Sequence, residues 1–325
     1  MTTGWGIVGT GGIARRMATS LTDVAGAALV AVASRSPDRA DALPGTPVRP
    51  GTFDDLLRDP RVDVVYVATP HSEHCLQTLQ ALRAGKHVLV EKPAALSAAQ
   101  TEAMVRTASE CDRFLLEGMW TRYLPSYQVL RAIVAEGVIG DVVEVHAEQG
   151  SRWPLVPEHR IYRRDLGGGA LLDLGVYPLQ LAQLLLGAPE QVCADAELGP
   201  TGVDHETRVG LSYSDERRAT ARCSFRQDLA SAHVVGTDGW VELAGPTYAP
   251  ESLTYQRGEE EPVTVSVPHH GLGLRLQAEE VQRCLSLGLT QSPHMTWADS
   301  ALLARTLDQV RSAVGLAFPG EARIG

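Results

Sequence analysis

Glu91, Lys92 and Pro93 follow the apolar run Val88-Leu89-Val90 and offer a carboxylate and an ammonium at the end of a short buried strand. The carboxyl end of a parallel strand is where an open α/β sheet binds its ligand. Pro93 holds Lys92 extended and ends the strand. A second constellation lies in Leu166-Gly167-Gly168-Gly169-Ala170-Leu171-Leu172-Asp173-Leu174-Gly175-Val176-Tyr177, where Asp173 and Tyr177 stand four apart, on one face of a helix. Their neighbours are apolar, and burying either group unpaired costs ~1–3 kcal/mol. Either the two satisfy each other in the core, or they face a cleft shared with Lys92. In the second case a carboxylate, a phenol and an ammonium are available for acid–base chemistry.

These residues need elements to carry them. Trp5-Gly6-Ile7-Val8 reads as a first strand, Gly9-Thr10-Gly11-Gly12-Ile13-Ala14 as a turn, and a helix runs from about Ile13 to Leu21. Gly-x-Gly-x-x-Ala between strand and helix is a dinucleotide fingerprint. Its glycines allow a tight turn and close approach of a pyrophosphate to the helix N-terminus. The second strand, Ala28–Ala33, ends in Ser34-Arg35-Ser36-Pro37-Asp38-Arg39, with no acidic residue at the place an NAD site usually carries one. Arg35 and Arg39, four apart, suit the 2′-phosphate of NADP, so NADP is expected in preference to NAD. Strands at Val62–Ala68, Lys86–Val90 and Phe114–Glu117 alternate with helices at Phe53–Leu57, Ser72–Ala84 and Ser97–Glu110, the last opened by a capping box at Ser97-Ala98-Ala99-Gln100. His71 and His74 sit just past a strand end; with no third ligand at suitable spacing, no metal is expected.

Beyond Trp120 the alternation ends. Helices are expected at Pro125–Glu136, Gly168–Leu186, Leu274–Leu287 and Thr296–Val314. Strands are expected at Asp141–Gln149, Gln191–Leu198, Glu206–Tyr213, Arg217–Phe225, Ala232–Gly236, Gly239–Leu243 and Glu261–Val267. The fold class is α/β: a doubly wound Rossmann domain over 1–120, then an α+β substrate-binding and oligomerisation domain over 121–325 with a large, mainly antiparallel open sheet. A six-stranded antiparallel sheet with helices on one face leaves the other face partly apolar. Val209, Leu211 and Tyr213 are candidates for that face, and a homodimer or higher assembly through it is expected.

The 325 residues exceed what one core usually holds. The charge of −10 argues against nucleic acid or an anionic membrane as partner. Five scattered cysteines without a Cys-x-x-Cys pair fit a reducing compartment. No basic-plus-apolar leader and no long apolar run is found, so a cytoplasmic location is expected.

The combination resembles the glucose–fructose oxidoreductase, inositol dehydrogenase and MocA-type (Gfo/Idh/MocA) family over nearly the whole chain. The resemblance rests on Gly9-x-Gly11-x-x-Ala14, Thr69-Pro70-His71 with His74, Glu91-Lys92-Pro93, and Gly168-Gly169 with Asp173-x-Gly175. Trp120-Thr121-Arg122, Gly168 to Asp173, Tyr177 and Ser292-Pro293 point to the branch of dimeric dihydrodiol dehydrogenase and NADP-dependent D-xylose dehydrogenase. Inositol dehydrogenase-like members carry His in place of Tyr177. The resemblance implies that Gly9, Thr10, Gly11, Gly12 and Ile13 hold the pyrophosphate and that Ser34, Arg35 and Arg39 hold the adenosine side. Thr69, Pro70, His71, Glu91 and Arg122 would complete the cofactor contacts. Lys92 and Tyr177 would be the catalytic pair, with Asp173 accepting a substrate hydroxyl. His71, His74 and Trp120 would wall the pocket, as would Trp153, whose segment Ser151-Arg152-Trp153-Pro154 departs from the family pattern. The implied activity is NADP(H)-dependent hydride transfer at a hydroxyl-bearing carbon of a sugar, polyol or trans-dihydrodiol. The alternative is a catalytically silent dinucleotide-binding regulator of the same fold. Retention of both Lys92 and Tyr177 argues against it.

Overall fold

A computed structural model of the chain describes residues 2–34, 43–44, 51–271 and 273–324. Arg35 and Arg39 lie outside the described residues.

Strands β1 (Thr3–Val8), β2 (Ala27–Ala33), β3 (Val64–Val67), β4 (His87–Glu91) and β5 (Leu115–Gly118) form one parallel sheet in the order β2-β1-β3-β4-β5. Helices α1 (Gly12–Leu21), α2 (Phe53–Arg58), α3 (His71–Arg83) and α4 (Ala98–Glu110) alternate with them. Parallel strands covered on both faces must be apolar throughout, and β3 and β4 supply Val65, Val67, Val88 and Val90 to a core shared with Leu79, Leu82 and Met104. Because β2 and β3 flank β1 on opposite sides, the chain reverses direction there, and a crevice opens at the carboxyl ends of β1 and β3. Local chemistry sets the helix starts. Thr52 and Asp55 form a reciprocal capping box at α2. At α4 the expected box is half made: Ser97 accepts the Gln100 N–H, but the Gln100 side chain accepts from Leu96 instead of Ser97.

The second sheet holds β6 (Val142–Gly150), β7 (Gln191–Leu198), β8 (Asp204–Ser212), β9 (Arg218–Ser224), β10 (Leu229–Gly236), β11 (Gly239–Ala244), β12 (Ser252–Arg257) and β13 (Val263–Ser266). Its order is β13-β12-β11-β10-β6-β9-β8-β7, antiparallel except for the parallel pair β6–β9. The expected six-stranded antiparallel sheet is thus corrected to eight strands with one parallel pair. β6 joins at the centre. β12, flanked by Gly245-Pro246, Pro250 and Gly258, reads as loop in the sequence because those breakers dominate the short alternation of Leu253 and Tyr255.

Helix α5 (Pro125–Ala135) precedes this sheet, and α6 (Val176–Leu186) packs on β6 and β9. The stretch Arg164–Leu186 is long and apolar enough to cross a membrane by composition, but 83% of its most apolar window is buried inside the protein. Val209, Leu211 and Tyr213 are buried, which corrects their assignment to an open apolar face. An alternating pattern defines two faces without saying which is covered. The other face carries Glu144, Glu148, Arg208, Arg218 and Arg222, joined in ion pairs such as Arg218–Glu144 and Arg222–Glu148.

The chain divides into two units, one of 1–120, 274–301 and 320–325, the other of 121–273 and 302–319. The first boundary falls after Trp120. The expectation that everything beyond belongs to the second domain is amended: α7 (Leu274–Ser286) packs beside α1, Gln282 donates to Ala25 O at 2.8 Å, and Trp297, opening α8 (Trp297–Val314), donates to Leu115 O at 3.0 Å. None of the five cysteines is paired.

Candidate functional site

The first unit carries the dinucleotide turn. Gly9 leaves β1 with φ +109°, and its N–H donates to Ala33 O at 3.0 Å. A Cβ there would lie 2.5 Å from Ala68 O, so only glycine lets the exits of β1 and β3 approach. Gly11 caps α1 without a side chain, and a Cβ added at Gly11 or Gly12 would meet nothing within 4 Å. That open space lies before the backbone N–H groups of α1, whose first turn has no acidic residue. The cradle fits a pyrophosphate. Thr10 Oγ1 and Ser34 Oγ are 3.5 Å apart beside it.

The exits of β3 and β4 are tied together. Thr69 Oγ1 donates to Gln77 Oε1 at 2.7 Å. His74 is fully buried, with Nδ1 2.9 Å from Pro93 O and Nε2 2.9 Å from Thr69 O. Carbonyl oxygens only accept, so a neutral His74 ring donates to one of the two, and its tautomer decides which. The sequence reading gives His74 a place in the pocket wall; the structure uses its ring to bracket Thr69 and Pro93. His71, also buried, opens α3 with its ring 5.5 Å from that of His74. Glu91 and Lys92 are buried at the end of β4, and the Lys92–Pro93 peptide is cis. Tyr66 donates its hydroxyl to Glu91 Oε1, and Glu117 Oε1 accepts the Ala94 N–H at 2.9 Å. Sequence reasoning misses both supports. A lone Tyr inside a valine strand is the signal for the first, since a buried phenol needs a partner. Trp120 is buried at the head of the 3₁₀ turn Trp120–Tyr123.

The second unit holds the other constellation. The helix expected from Gly168 begins as a π-helical turn, Leu171–Gly175, and becomes α-helical at Val176. The one-face argument for Asp173 and Tyr177 assumes 3.6 residues per turn and loses its basis in a π turn. The glycines before it admit close neighbours. A Cβ at Gly168 would lie 2.5 Å from Ile161 O, and one at Gly169, where φ is +120°, 2.2 Å from Asp204 Oδ1. Asp204 is wholly buried; its Oδ2 accepts from Leu171 N–H and Thr207 Oγ1, each at 2.7 Å. Burial pushes its carboxyl up to about 6.

Asp173 does not stand alone: Arg160 Nη2 donates to its Oδ1 at 3.2 Å. Nothing in the sequence spacing announces this pair, thirteen residues apart across irregular chain. Tyr177 is buried in the first turn of α6, its ring 5.4 Å from that of Tyr248. Trp153 is 47% exposed and lies flat against His159, centroids 6.1 Å apart at 22°. Arg122, expected at the cofactor, is buried; its Nε donates to Gln180 Oε1 at 2.8 Å, in a chain that continues through Tyr127 to Thr247 O. Among the described residues, no three His, Cys, Asp or Glu side chains are grouped to hold a metal ion.

Residues 3–119 match an oxidoreductase family with an NAD-binding Rossmann fold, and residues 127–242 match the C-terminal domain of Gfo/Idh/MocA proteins. The chain is 35% identical to human trans-1,2-dihydrobenzene-1,2-diol dehydrogenase, over 98% of this chain and 99% of that one. It is similar in structure to the aldose–aldose oxidoreductase of Caulobacter crescentus, with TM-score 0.87 and 26% identity over 97% of this chain and 98% of that one. It is also similar to a 3-ketoreductase of Actinomadura kijaniata in complex with NADP, with TM-score 0.85 and 28% identity over the same shares.

Proposed function

The chain belongs to the Gfo/Idh/MocA family of oxidoreductases, and we propose that it transfers a hydride between NADP(H) and a hydroxyl-bearing carbon of a sugar, polyol or trans-dihydrodiol. One observation carries this reading: the chain has both a lysine, Lys92, at the exit of β4 and a tyrosine, Tyr177, in the first turn of α6. A sensor of the dinucleotide needs no such acid–base pair. The names of the relatives, a dihydrodiol dehydrogenase and an aldose oxidoreductase, support the substrate class. The 3-ketoreductase with NADP supports the cofactor.

When bound, the oxidised nicotinamide supplies the hydride acceptor. Gly9, Gly11 and Gly12 seat the pyrophosphate, and Arg35 and Arg39 take the 2′-phosphate. Asp173 accepts a hydrogen bond from a substrate hydroxyl and orients it. Tyr177 takes the O–H proton as the C–H hydride departs, so the alcohol loses one hydride and one proton. A phenol is a useful base at neutral pH only with a cation to favour the phenolate, and Lys92 is the residue proposed to supply that charge. In reduction the same groups run in reverse.

The test follows NADPH formation, and its loss in reverse, with aldoses, inositols and trans-diols. Turnover of one of these classes with NADP is expected. A flat panel in both directions overturns the enzyme reading in favour of a regulator. Location in the cytoplasm and self-association through the eight-stranded sheet belong to the same proposal. The charged face makes ion pairs the expected bonds of that assembly, and light scattering that finds a monomer at micromolar protein in low salt overturns it.

A further inference from the structure

We propose that Tyr127 is a positioning residue for Tyr177: its hydroxyl fixes the loop that lays the Tyr248 ring against the Tyr177 ring. The inference rests on the reading above that Tyr177 takes the substrate proton.

Tyr127 is wholly buried in α5, and its hydroxyl is the middle of a hydrogen-bond chain that can run in only one direction. Arg122 Nε can only donate, so the group it meets at 2.8 Å is the amide oxygen of Gln180, Oε1. That leaves the amide nitrogen, Nε2, to face the Tyr127 oxygen at 3.2 Å. The Tyr127 oxygen accepts there and gives its own proton to Thr247 O at 2.8 Å. Burial holds the Tyr127 phenol above its usual titration range, so that proton stays in place at neutral pH. From the other side, Gln149 Oε1 on β6 accepts the Thr247 N–H at 2.9 Å and the Thr247 hydroxyl at 2.8 Å. Gln149, Gln180 and Thr247 are all buried. Thr247 stands between β11 and β12, outside any strand ladder, and two side chains hold its backbone.

The links close on α6. Gln180 and Tyr177 stand three apart in that helix, as neighbours on its surface. The links leave α6 at Gln180 and return through Tyr248, the residue after Thr247, whose ring centroid lies 5.4 Å from that of Tyr177 at 48° between planes. That separation is an aromatic contact. A helix restricts the first torsion of a Tyr side chain, but rotation about its bond to the ring is broad. Neighbouring groups therefore choose where the phenol plane lies. Tyr248 is such a neighbour, and its own loop, bounded by Gly245-Pro246 and Pro250, takes its position from Tyr127 and Gln149. Satisfied buried networks specify one arrangement, and a displacement of about 1 Å at a reacting group can cost about 10²-fold in rate.

The experiment places fluorotyrosine at position 177 of the full chain and reads its fluorine resonance, with and without NADP. The wild type should give one narrow line. Tyr127→Phe removes one oxygen and keeps the ring; it should broaden or split that line. In the unlabelled protein the same variant should lower kcat about 10–100-fold, with the Kd for NADP held within a few-fold. Gln149→Leu, which frees the Thr247 N–H instead, should reproduce both effects, and it carries the test if Tyr127→Phe does not fold. Tyr248→Ala should do the same, and adding Tyr127→Phe to it should cost nothing further, because both act by one route. A fluorine line unchanged in Tyr127→Phe, or losses of kcat that multiply in the double variant, overturns the proposal. If no compound is turned over, the fluorine line alone decides. A disturbed line with kcat intact upholds the positioning of Tyr177 and refutes its role as proton acceptor.

Discussion

The buried carboxylate of Asp204 accepts the backbone N–H of Leu171, thirty-three residues away in the chain, at 2.7 Å. It thereby holds the head of the π turn that carries Asp173. Its Oδ1 has no hydrogen-bond partner among the described residues, and Gly169 leaves the room for it. Burial raises its titration from the ordinary 3.8 to about 6. Below 3.8 the group is protonated folded or unfolded. Between the two values the unfolded chain gives up the proton that the folded one keeps, so this contribution to stability is present at low pH and is lost as pH rises through about 6. Asp204→Asn keeps an acceptor for Leu171 and removes the titration. The stability difference should therefore move in favour of the variant between pH 4 and 7, by about 3 kcal/mol. Denaturant melts of both proteins across that range measure it, and parallel curves would sink the idea.

Tyr177→Phe removes only the proposed proton acceptor. Turnover should fall at least ~100-fold with little change in NADP affinity. Lys92→Met should lose as much or more, and Lys92→Arg, which keeps charge but not shape, should be partly active. Steady-state kinetics with separate cofactor titrations check all three. Activity of Tyr177→Phe within a few-fold of the wild type makes Tyr177 a packing residue.

Arg35→Asp puts a carboxylate where NAD-selective sites carry one and repels a 2′-phosphate. The kcat/KM ratio for NADP over NAD should invert or vanish. A wild type that uses NAD at least as well as NADP refutes the cofactor assignment before any variant is made.

Much of the fold was legible in the sequence, because it depends on local rules. Valine-rich strands alternate with capped helices from Trp5 to Glu117, and that alternation implies a parallel sheet. Gly9-x-Gly11 implies a turn that no side chain can enter, and the position of Lys92 after an apolar strand implies the crevice. What the sequence left open depends on meetings of distant segments. Period-two alternation in Val209 and Leu211 marks a face, but only the packing of α6 on the central strands decides that such a face is inward. The spacing of Asp173 and Tyr177 implies a shared face only if the helix is α, and the structure has a π turn there, preceded by Gly168 and Gly169 packed closely against the Arg160–Tyr162 turn and the Asp204 carboxylate. Arg160, Asp204 and Tyr66 became visible as supports for the same reason: each partner lies thirteen to thirty-three residues away, beyond any helical or strand period, so only the tertiary fold pairs them.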